Sequence, residues 1–161
     1  MDEIFIILLL ILLNGFFAMS EIALISARKS NLQTDADKGN RNAKRALKLA
    51  SDPDKFLSAV QIGITLIGIL TGIFSGNRIA AEFADVFEKA GMSEGAADSL
   101  AKGIIVVIVT FLTLIFGELV PKKIGMSASE KVAKFVSGPM KFISVIASPF
   151  VWVLSKTTHF I

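Results

Sequence analysis

The residue best placed to do chemistry in this sequence is Glu118, an acidic side chain at the end of a strongly apolar stretch. The stretch reads Phe111-Leu-Thr-Leu-Ile-Phe-Gly-Glu-Leu-Val-Pro-Lys-Lys123. A carboxylate at membrane depth is costly unless a cation or a polar cavity compensates it, so by default it marks a functional site. Glu118 therefore predicts a membrane protein that handles a cation.

Few other polar residues interrupt the apolar stretches, and most of them carry neutral oxygen. Candidate ligands are hydroxyls, one carboxylate and carbonyls exposed near glycines, which together favour a hard cation such as Mg²⁺, Ca²⁺, Na⁺ or Mn²⁺. The candidate metal-binding residues are Ser20, Ser26, Gly63, Thr65, Gly117 and Glu118. The candidate structural or gating residues are Asn14, Glu21, Gln61, Gly68 and Pro121.

The most specific local signal is the pair Gly117 and Pro121. Proline has no N–H, so Pro121 cannot donate the helical hydrogen bond that the Gly117 carbonyl would otherwise accept. That carbonyl oxygen is then available to a cation. Proline also predicts that the apolar helix ends at Val120.

Each of these residues also has a purely structural interpretation. Buried hydroxyls such as Ser20 and Thr65 commonly bond to their own helix, and Glu118 could pair with Lys122 one helical turn away. Glu21 is expected to pair with a basic residue rather than to bind a cation directly. Gly68 forms a small-xxx-small pair with Gly72, which is typical of close helix packing.

Three apolar stretches are long enough to cross a bilayer at 1.5 Å rise per residue. They cover about residues 4–27, 56–76 and 99–120. A fourth stretch, about 135–155, contains Pro139, Lys141 and Pro149, and we interpret it as an interfacial amphipathic helix in preference to a fourth span. The expected fold class is an all-α integral membrane protein with three transmembrane helices.

Composition supports a membrane location and excludes several chemistries. The 161 residues are 53% hydrophobic and only 19% charged, with a mean hydropathy of +0.66. The sequence has no cysteine, and its single histidine is His159. Disulfides, iron–sulfur clusters and thiolate zinc sites are therefore excluded, and no nucleophile–base pair indicates an enzyme. A net charge of +3 gives no reason to expect nucleic acid.

The basic residues predict the orientation of the chain. Eight lysines and arginines lie between Arg28 and Lys55, three between Arg78 and Lys102, and six after the third span. The positive-inside rule then places the first loop and the C-terminus in the cytoplasm and the N-terminus outside. In the first loop, residues 41–50 form a basic amphipathic helix suited to anionic lipid or to a neighbouring element.

This orientation places three of the candidate ligands at a similar depth. Ser20 lies about 10 Å from the inner end of its span, Thr65 about 13 Å, and Glu118 about 6–8 Å. The three side chains are therefore expected to line one cavity that opens to the cytoplasm.

Three motifs in this order resemble the transmembrane domain of the CNNM/CorC family of magnesium transporters. They are Asn14-Gly-Phe-Phe-Ala-Met-Ser-Glu-Ile-Ala-Leu24, Gln61-Ile-Gly-Ile-Thr65 and Phe116-Gly-Glu-Leu-Val-Pro-Lys-Lys123. The resemblance covers essentially the whole chain, residues 1–161. It implies a multi-pass protein of the cell membrane, a homodimer whose subunits each have three spans and a juxtamembrane belt helix.

The resemblance also implies a function. A largely dehydrated Mg²⁺ would be held among the spans by Ser20, Ser26, the region 63–65, Gly117 and Glu118, and exported as Na⁺ enters. Family members usually continue into a paired CBS module that binds adenine nucleotide; none is found here, so ATP binding is not expected. Two other classes remain open: a passive cation channel, and a membrane anchor or dimerisation platform for cytoplasmic domains.

Overall fold

The computed structural model describes residues 2–75 and 78–160, and all of its regular structure in these ranges is helical. Within residues 2–75 and 78–160, eight α-helices follow one another, with a wider π-helical turn at Ile115–Leu119 between the sixth and the seventh. Their bounds are α1 Asp2–Ser26, α2 Lys29–Asp37, α3 Arg41–Ser51, α4 Pro53–Ser75, α5 Arg78–Lys89, α6 Glu94–Leu114, α7 Val120–Ser127 and α8 Ser129–Phe160.

Helix α1 lies at the centre of the bundle, between α4 on one side and the π turn with α7 on the other. The close approach of α4 to α1 depends on Gly63, because a Cβ at this position of α4 would lie 2.7 Å from the ring of Phe17 on α1. The core continues from α1 and α4 onto α8 and the loop helices. Its buried residues are Leu10, Phe17, Leu24, Ala27, Leu32, Ala46, Phe56, Val60, Ile67, Ala133, Val136 and Met140.

Four helical segments in the described part of the chain are long and apolar enough to cross a membrane. The first three contain α1, α4 and α6, as the sequence predicts. The fourth is Ser129–Thr157, the least apolar of the set. Large side chains such as Val107, Phe111 and Phe142 face outward, as expected for helices solvated by lipid. The fold is thus an all-α membrane-embedded bundle, and the three-span count is one interpretation of four candidate spans.

The prediction that Pro121 ends the third helix is wrong. The helix continues through the π turn into α7, and Pro121 is the second residue of that segment. Pro121 directly follows the π turn, where the hydrogen-bond register of the long helix changes, so the missing N–H falls at an irregularity rather than in a regular ladder. Pro139 and Pro149 likewise lie inside the uninterrupted helix α8.

Helix α8 buries a face of small residues and exposes a face of large apolar ones. Ser137 and Ser144 are buried, with Ala133, Val136, Met140 and Ala147, at helical spacing. The face that points away from the bundle carries Phe142, Ile146, Phe150 and Trp152. Small side chains let α8 pack closely against α1, α3 and α4.

Polar contacts hold the loop helices against α8. The Lys134 ammonium donates to Asp35 of α2 at 2.6 Å, and the Asn31 amide donates to Glu130 at 3.0 Å. The hydrogen bond and charge of Lys134 lower the pKa of Asp35 below its ordinary value of 3.8. Helix α3 begins at Asn40, whose side chain accepts hydrogen bonds from two backbone N–H groups of its first turn. The sequence predicted α3 but neither α2 nor α5.

Candidate functional site

The π-helical turn at Ile115–Leu119 is the most unusual backbone feature of the long helix that contains α6 and α7. At its end the Val120 N–H donates to the Ile115 carbonyl, five residues back. Such turns widen the helix by one residue and occur frequently at functional sites. This turn contains two of the predicted site residues, Gly117, which is buried, and Glu118, which is half-buried.

The Gly117 carbonyl has a partner that the sequence did not predict. The side-chain amide of Asn14 on α1 donates to it at 2.9 Å. Pro121 has no N–H and therefore supplies no i,i+4 donor to this carbonyl, as expected, and the Asn14 amide donates to it from α1. The carbonyl retains a second lone pair, and the Asn14 amide oxygen is a further acceptor. We call Asn14 and Gly117, joined by this hydrogen bond, the polar clasp.

Close packing of α1 against the turn makes the clasp possible. A Cβ at Gly15 would lie 2.8 Å from both the Phe116 carbonyl oxygen and Cγ of Pro121. One turn further on, a Cβ at Gly125 of α7 would lie 2.7 Å from the Met19 carbonyl oxygen. Only glycine lets the two backbones approach this closely, so Gly15 and Gly125 set the distance between α1 and the turn that the Asn14 side chain bridges.

Thr113 is a site residue that the predicted set does not include. Its hydroxyl is buried and, within the described residues, has no hydrogen-bond partner. Its Cγ2 lies 3.4 Å from the Cβ position of Gly117, so Thr113 borders the clasp. A buried hydroxyl without a partner costs about 1–3 kcal/mol, which is tolerable where a ligand completes it. The sequence feature that could have identified Thr113 is its position four residues before Gly117, which places both on the same helix face.

Glu118 forms an ion pair with Lys122. The two side chains are 2.7 Å apart at i,i+4 spacing, with relative exposures of 43% for Glu118 and 35% for Lys122. The pair corresponds to the structural interpretation of Glu118. A half-exposed ion pair is weak, so Lys122 can be displaced by a competing cation.

The two serines of α1 occupy different environments. Ser20 is fully buried, and its hydroxyl donates to the Phe16 carbonyl at 2.6 Å in the preceding turn. Its oxygen can still accept a hydrogen bond or bind a cation. Ser26 is exposed at the C-terminal end of the helix.

A cavity of about 690 Å³ collects several of the remaining polar residues. Glu21 of α1 and Gln61 and Thr65 of α4 line it, together with Ser58. Ser58 was not predicted, although positions 58, 61 and 65 form one stripe on α4. Its other lining residues are apolar: Leu57, Ile62, Leu66, Ile69 and Leu154.

The predicted site residues are thus distributed over two places. Thr65 lines the cavity, whereas Ser20 and Glu118 do not. Glu21 also lines the cavity and pairs with neither Arg28 nor Lys122 among the described residues. Gly63 packs against Phe17, and Gly68 faces open space, since a Cβ there would meet no atom within 4 Å.

The arrangement suits neutral oxygen ligation better than a carboxylate cage. In the described part of the chain no group of three or more acidic, histidine or cysteine side chains could hold a metal ion. The oxygens near the clasp are the Thr113 hydroxyl, the Gly117 carbonyl and the Asn14 amide, with the Glu118 carboxylate one residue further on. A single charge with several neutral oxygens is a modest field, which suits a hard cation that must be released.

Long apolar helices around a partly buried polar clasp define a helical membrane protein. Comparison with known families agrees with this class. Residues 5–161 match the family described as Cyclin M transmembrane N-terminal domain, CNNM. The chain belongs to this family, and the predicted resemblance to CNNM/CorC proteins is confirmed.

Several curated proteins are similar over nearly the whole chain. "UPF0053 protein sll0260" of Synechocystis is 46% identical over 156 residues, 97% of this chain and 35% of that protein. The "Polyamine export protein" of Escherichia coli K12 is 36% identical over 161 residues, 100% of this chain and 36% of that protein. "UPF0053 protein YhdT" of Bacillus subtilis is 29% identical over 98% of this chain and 34% of its own length. The chain spans about a third of the length of these relatives.

Proposed function

We propose that the protein transports Mg²⁺ out of the cell in exchange for entering Na⁺, through a site at the polar clasp. The observation that carries the proposal is the buried Thr113 hydroxyl, which has no hydrogen-bond partner among the described residues and belongs to a side chain that borders Gly117 of the clasp. Membership in a family with relatives named as exporters supports transport rather than catalysis as the function.

In this proposal the neutral oxygens bind the cation and Glu118 supplies the charge. Lys122 holds the carboxylate when no cation is present, and the arriving ion displaces it from Glu118. Because the ion pair is half-exposed and therefore weak, the exchange costs little in either direction. Ser20, Ser26, Gly63 and Thr65 remain proposed oxygen ligands of the transported cation, as the family resemblance implies. Na⁺ competes for the same hard oxygen ligands.

The proposed assembly is a homodimer in the cell membrane, with the N-terminus outside and the C-terminus in the cytoplasm. Each subunit has three spans, and α8 lies along the membrane surface as a belt. The segment Ser129–Thr157 within α8 is the least apolar of the four candidate spans in the described part of the chain, which favours the interface. Lys141 near its middle also favours the interface.

The belt can be tested by labelling single cysteines, because the sequence contains no native cysteine. Lys131→Cys and Lys156→Cys place probes near opposite ends of α8, both exposed. A belt makes both cysteines reactive to an impermeant maleimide from the same side of sealed vesicles. Reactivity from opposite sides means that α8 spans the membrane.

The transport proposal is tested by Mg²⁺ flux in liposomes, with and without a Na⁺ gradient. We compare the wild type with Glu118→Gln and Thr113→Val, and use Glu82→Gln as the control, since Glu82 is exposed on α5. Na⁺-dependent flux that both site variants lose, and the control keeps, supports the proposal. Flux that ignores the gradient means a passive channel, and no flux from the folded protein means an anchor or dimerisation platform.

A second cargo is favoured by one specific observation. The 690 Å³ cavity with Glu21, Gln61 and Thr65 offers a carboxylate and hydrogen-bond acceptors in a volume suited to a small organic molecule. Ammonium groups of a polyamine need such acceptors, and relatives 36% identical to this chain are named polyamine export proteins. Export of labelled spermidine that Glu21→Gln abolishes and Glu118→Gln preserves would assign this cargo to the cavity.

A further inference from the structure

A second concave surface lies apart from the clasp and the cavity, and we call it the basic groove. It has a volume of about 590 Å³ and lies between α3, the beginning of α4 and the middle of α8. Its lining residues are Arg41, Lys44, Arg45, Lys48, Leu49, Asp52, Lys55, Phe56, Lys141, Ser144 and Val145.

The charge of the groove is strongly one-sided. Six of its residues are basic and one, Asp52, is acidic, which leaves five net positive charges. All six basic residues are exposed, and among the described residues none of their side chains forms an ion pair. By contrast, Lys89, Lys102, Lys122 and Lys134 each contact a carboxylate. Like charges gathered without partners repel one another, so an anion in the groove stabilises them.

The groove also has apolar lining residues. Leu49 of α3, Phe56 of α4 and Val145 of α8 line it together with the charged side chains, and Val145 is exposed. A small inorganic anion gains nothing from apolar contacts, whereas an amphiphile covers them with its glycerol and upper acyl carbons. The combination of charged and apolar lining residues therefore matches a lipid better than a free anion.

The groove also lies at the polar–apolar boundary of two helices. On α4, Lys55 is followed by Phe56 and an apolar stretch without a formal charge up to Ser75. On α8, Lys141 is followed by Phe142, Val145 and Ile146, which are all exposed. A molecule in the groove thus has its charged end among lysines and arginines and its other end against an outward-facing apolar surface.

We propose that the basic groove binds the headgroup of an anionic phospholipid. The phosphate contacts the basic side chains of α3 and Lys141, and the acyl chains extend along the exposed apolar face of α8. This binding joins α3, α4 and α8 through one ligand. It is independent of which cation the protein transports, because no lining residue belongs to the clasp or the cavity.

The proposal is tested by native mass spectrometry of the purified protein in detergent, titrated with phosphatidylglycerol. Phosphatidylcholine with the same acyl chains tests the need for negative charge, and inorganic phosphate tests whether a free anion suffices. The groove variant carries Lys44→Gln, Arg45→Gln, Lys48→Gln and Lys141→Gln. The matched control carries Lys29→Gln, Lys38→Gln, Lys123→Gln and Lys131→Gln, four exposed positions outside the groove with the same change in charge.

We expect the wild type to retain one phosphatidylglycerol per chain and to bind it at least about tenfold more tightly than phosphatidylcholine. The groove variant weakens binding at least about tenfold, while the control stays within about twofold. Equal weakening in both variants means diffuse attraction and overturns the proposal. Displacement of the lipid by millimolar phosphate assigns the groove to a free anion and overturns it as well.

Folding is checked separately by circular dichroism and gel filtration. If the fourfold groove variant does not fold, Lys141→Gln alone replaces it, compared with Lys131→Gln on the same helix. Each is a single exposed charge on α8, but only Lys141 lines the groove. Roughly fivefold weaker binding for Lys141→Gln alone supports the lipid site, and identical binding by the two overturns it.

Discussion

Replacing Gly15 by alanine gives the sharpest test of how α1 seats against the π turn. The added Cβ would lie 2.8 Å from the Phe116 carbonyl oxygen and 2.8 Å from Cγ of Pro121. An ordinary C···O contact is no closer than about 3.3 Å, so α1 must move away by roughly 0.5 Å. Neither neighbour can rotate aside, because one is backbone and the other a closed ring.

The same displacement weakens the polar clasp. The Asn14–Gly117 hydrogen bond, now 2.9 Å long, extends to about 3.4 Å, beyond the usual limit of about 3.2 Å. Overpacking costs about 1–3 kcal/mol and the lost interhelical hydrogen bond about 0.6 kcal/mol, so the total is roughly 1.5–3.5 kcal/mol. We therefore expect Gly15→Ala to be destabilised and its Mg²⁺ flux to fall.

Gly68→Ala is the matched control. A Cβ at Gly68 meets no atom within 4 Å, so this variant gains the helix propensity of alanine without a clash. Both variants gain the helix propensity of alanine, so the difference between their free energies of unfolding isolates the contact at Gly15. The measurement is SDS-induced unfolding in mixed micelles, followed by circular dichroism. Equal stability of the two variants would refute the argument that Gly15 sets the distance between α1 and the turn.

Three further outcomes are expected. Thr113→Val removes a buried hydroxyl without a partner, so the protein should unfold at the same or a slightly higher SDS concentration while Mg²⁺ flux falls; normal flux would show that the hydroxyl is not a ligand. Gly63→Ala pushes against the Phe17 ring at 2.7 Å and should cost about 1–3 kcal/mol in the same unfolding assay, and a neutral result would contradict the packing of α1 on α4. The pKa of Asp35 is lowered in the folded protein, so its pair with Lys134 contributes its full stabilisation at pH values above the ordinary pKa of 3.8. The contribution is lost as the pH falls through the lower pKa of the folded state. In Asp35→Asn, the midpoint temperature of thermal unfolding should therefore fall less steeply as the pH is lowered below about pH 5. An unchanged pH dependence would exclude this pair as its source.

Much of the bundle follows from hydrophobic length alone. The sequence predicts spans at 4–27 and 56–76, and α1 and α4 occupy Asp2–Ser26 and Pro53–Ser75. Helix α4 begins at Pro53, and proline suits the first helical position. These features depend only on local composition, which the sequence displays directly.

The π turn could not be predicted in the same way. The run Ile-Phe-Gly-Glu-Leu fits an ordinary helix, and the Gly117 carbonyl of the wider turn accepts a hydrogen bond from Asn14 of α1. The donor comes from a residue 103 positions away in sequence, and no local pattern reveals it. For the same reason, the effect of Pro121 on one carbonyl was predictable, whereas its position near the start of a further helix was not.

Contacts between helices also decided where the predicted ligands lie. Depth along the membrane placed Ser20, Thr65 and Glu118 at one level, but depth says nothing about the direction in which each side chain points. Thr65 faces the cavity, Ser20 bonds to its own helix, and Glu118 meets Lys122. Rotation about each helix axis is fixed by packing, which a single sequence describes only in part.

The wide turn also has a consequence for the phase of the long helix. An α-helix advances 100° per residue, and a π turn absorbs about one residue more than an α turn of the same rise. Because the turn absorbs the extra residue, deleting one residue from 115–119 would restore a regular helix and leave the rotation of α7 relative to α6 nearly unchanged. Gly125 would still face Met19 and Ile22. The turn is therefore a local insertion: it changes how residues 115–119 face α1, while α6 and α7 keep the phase of one continuous helix.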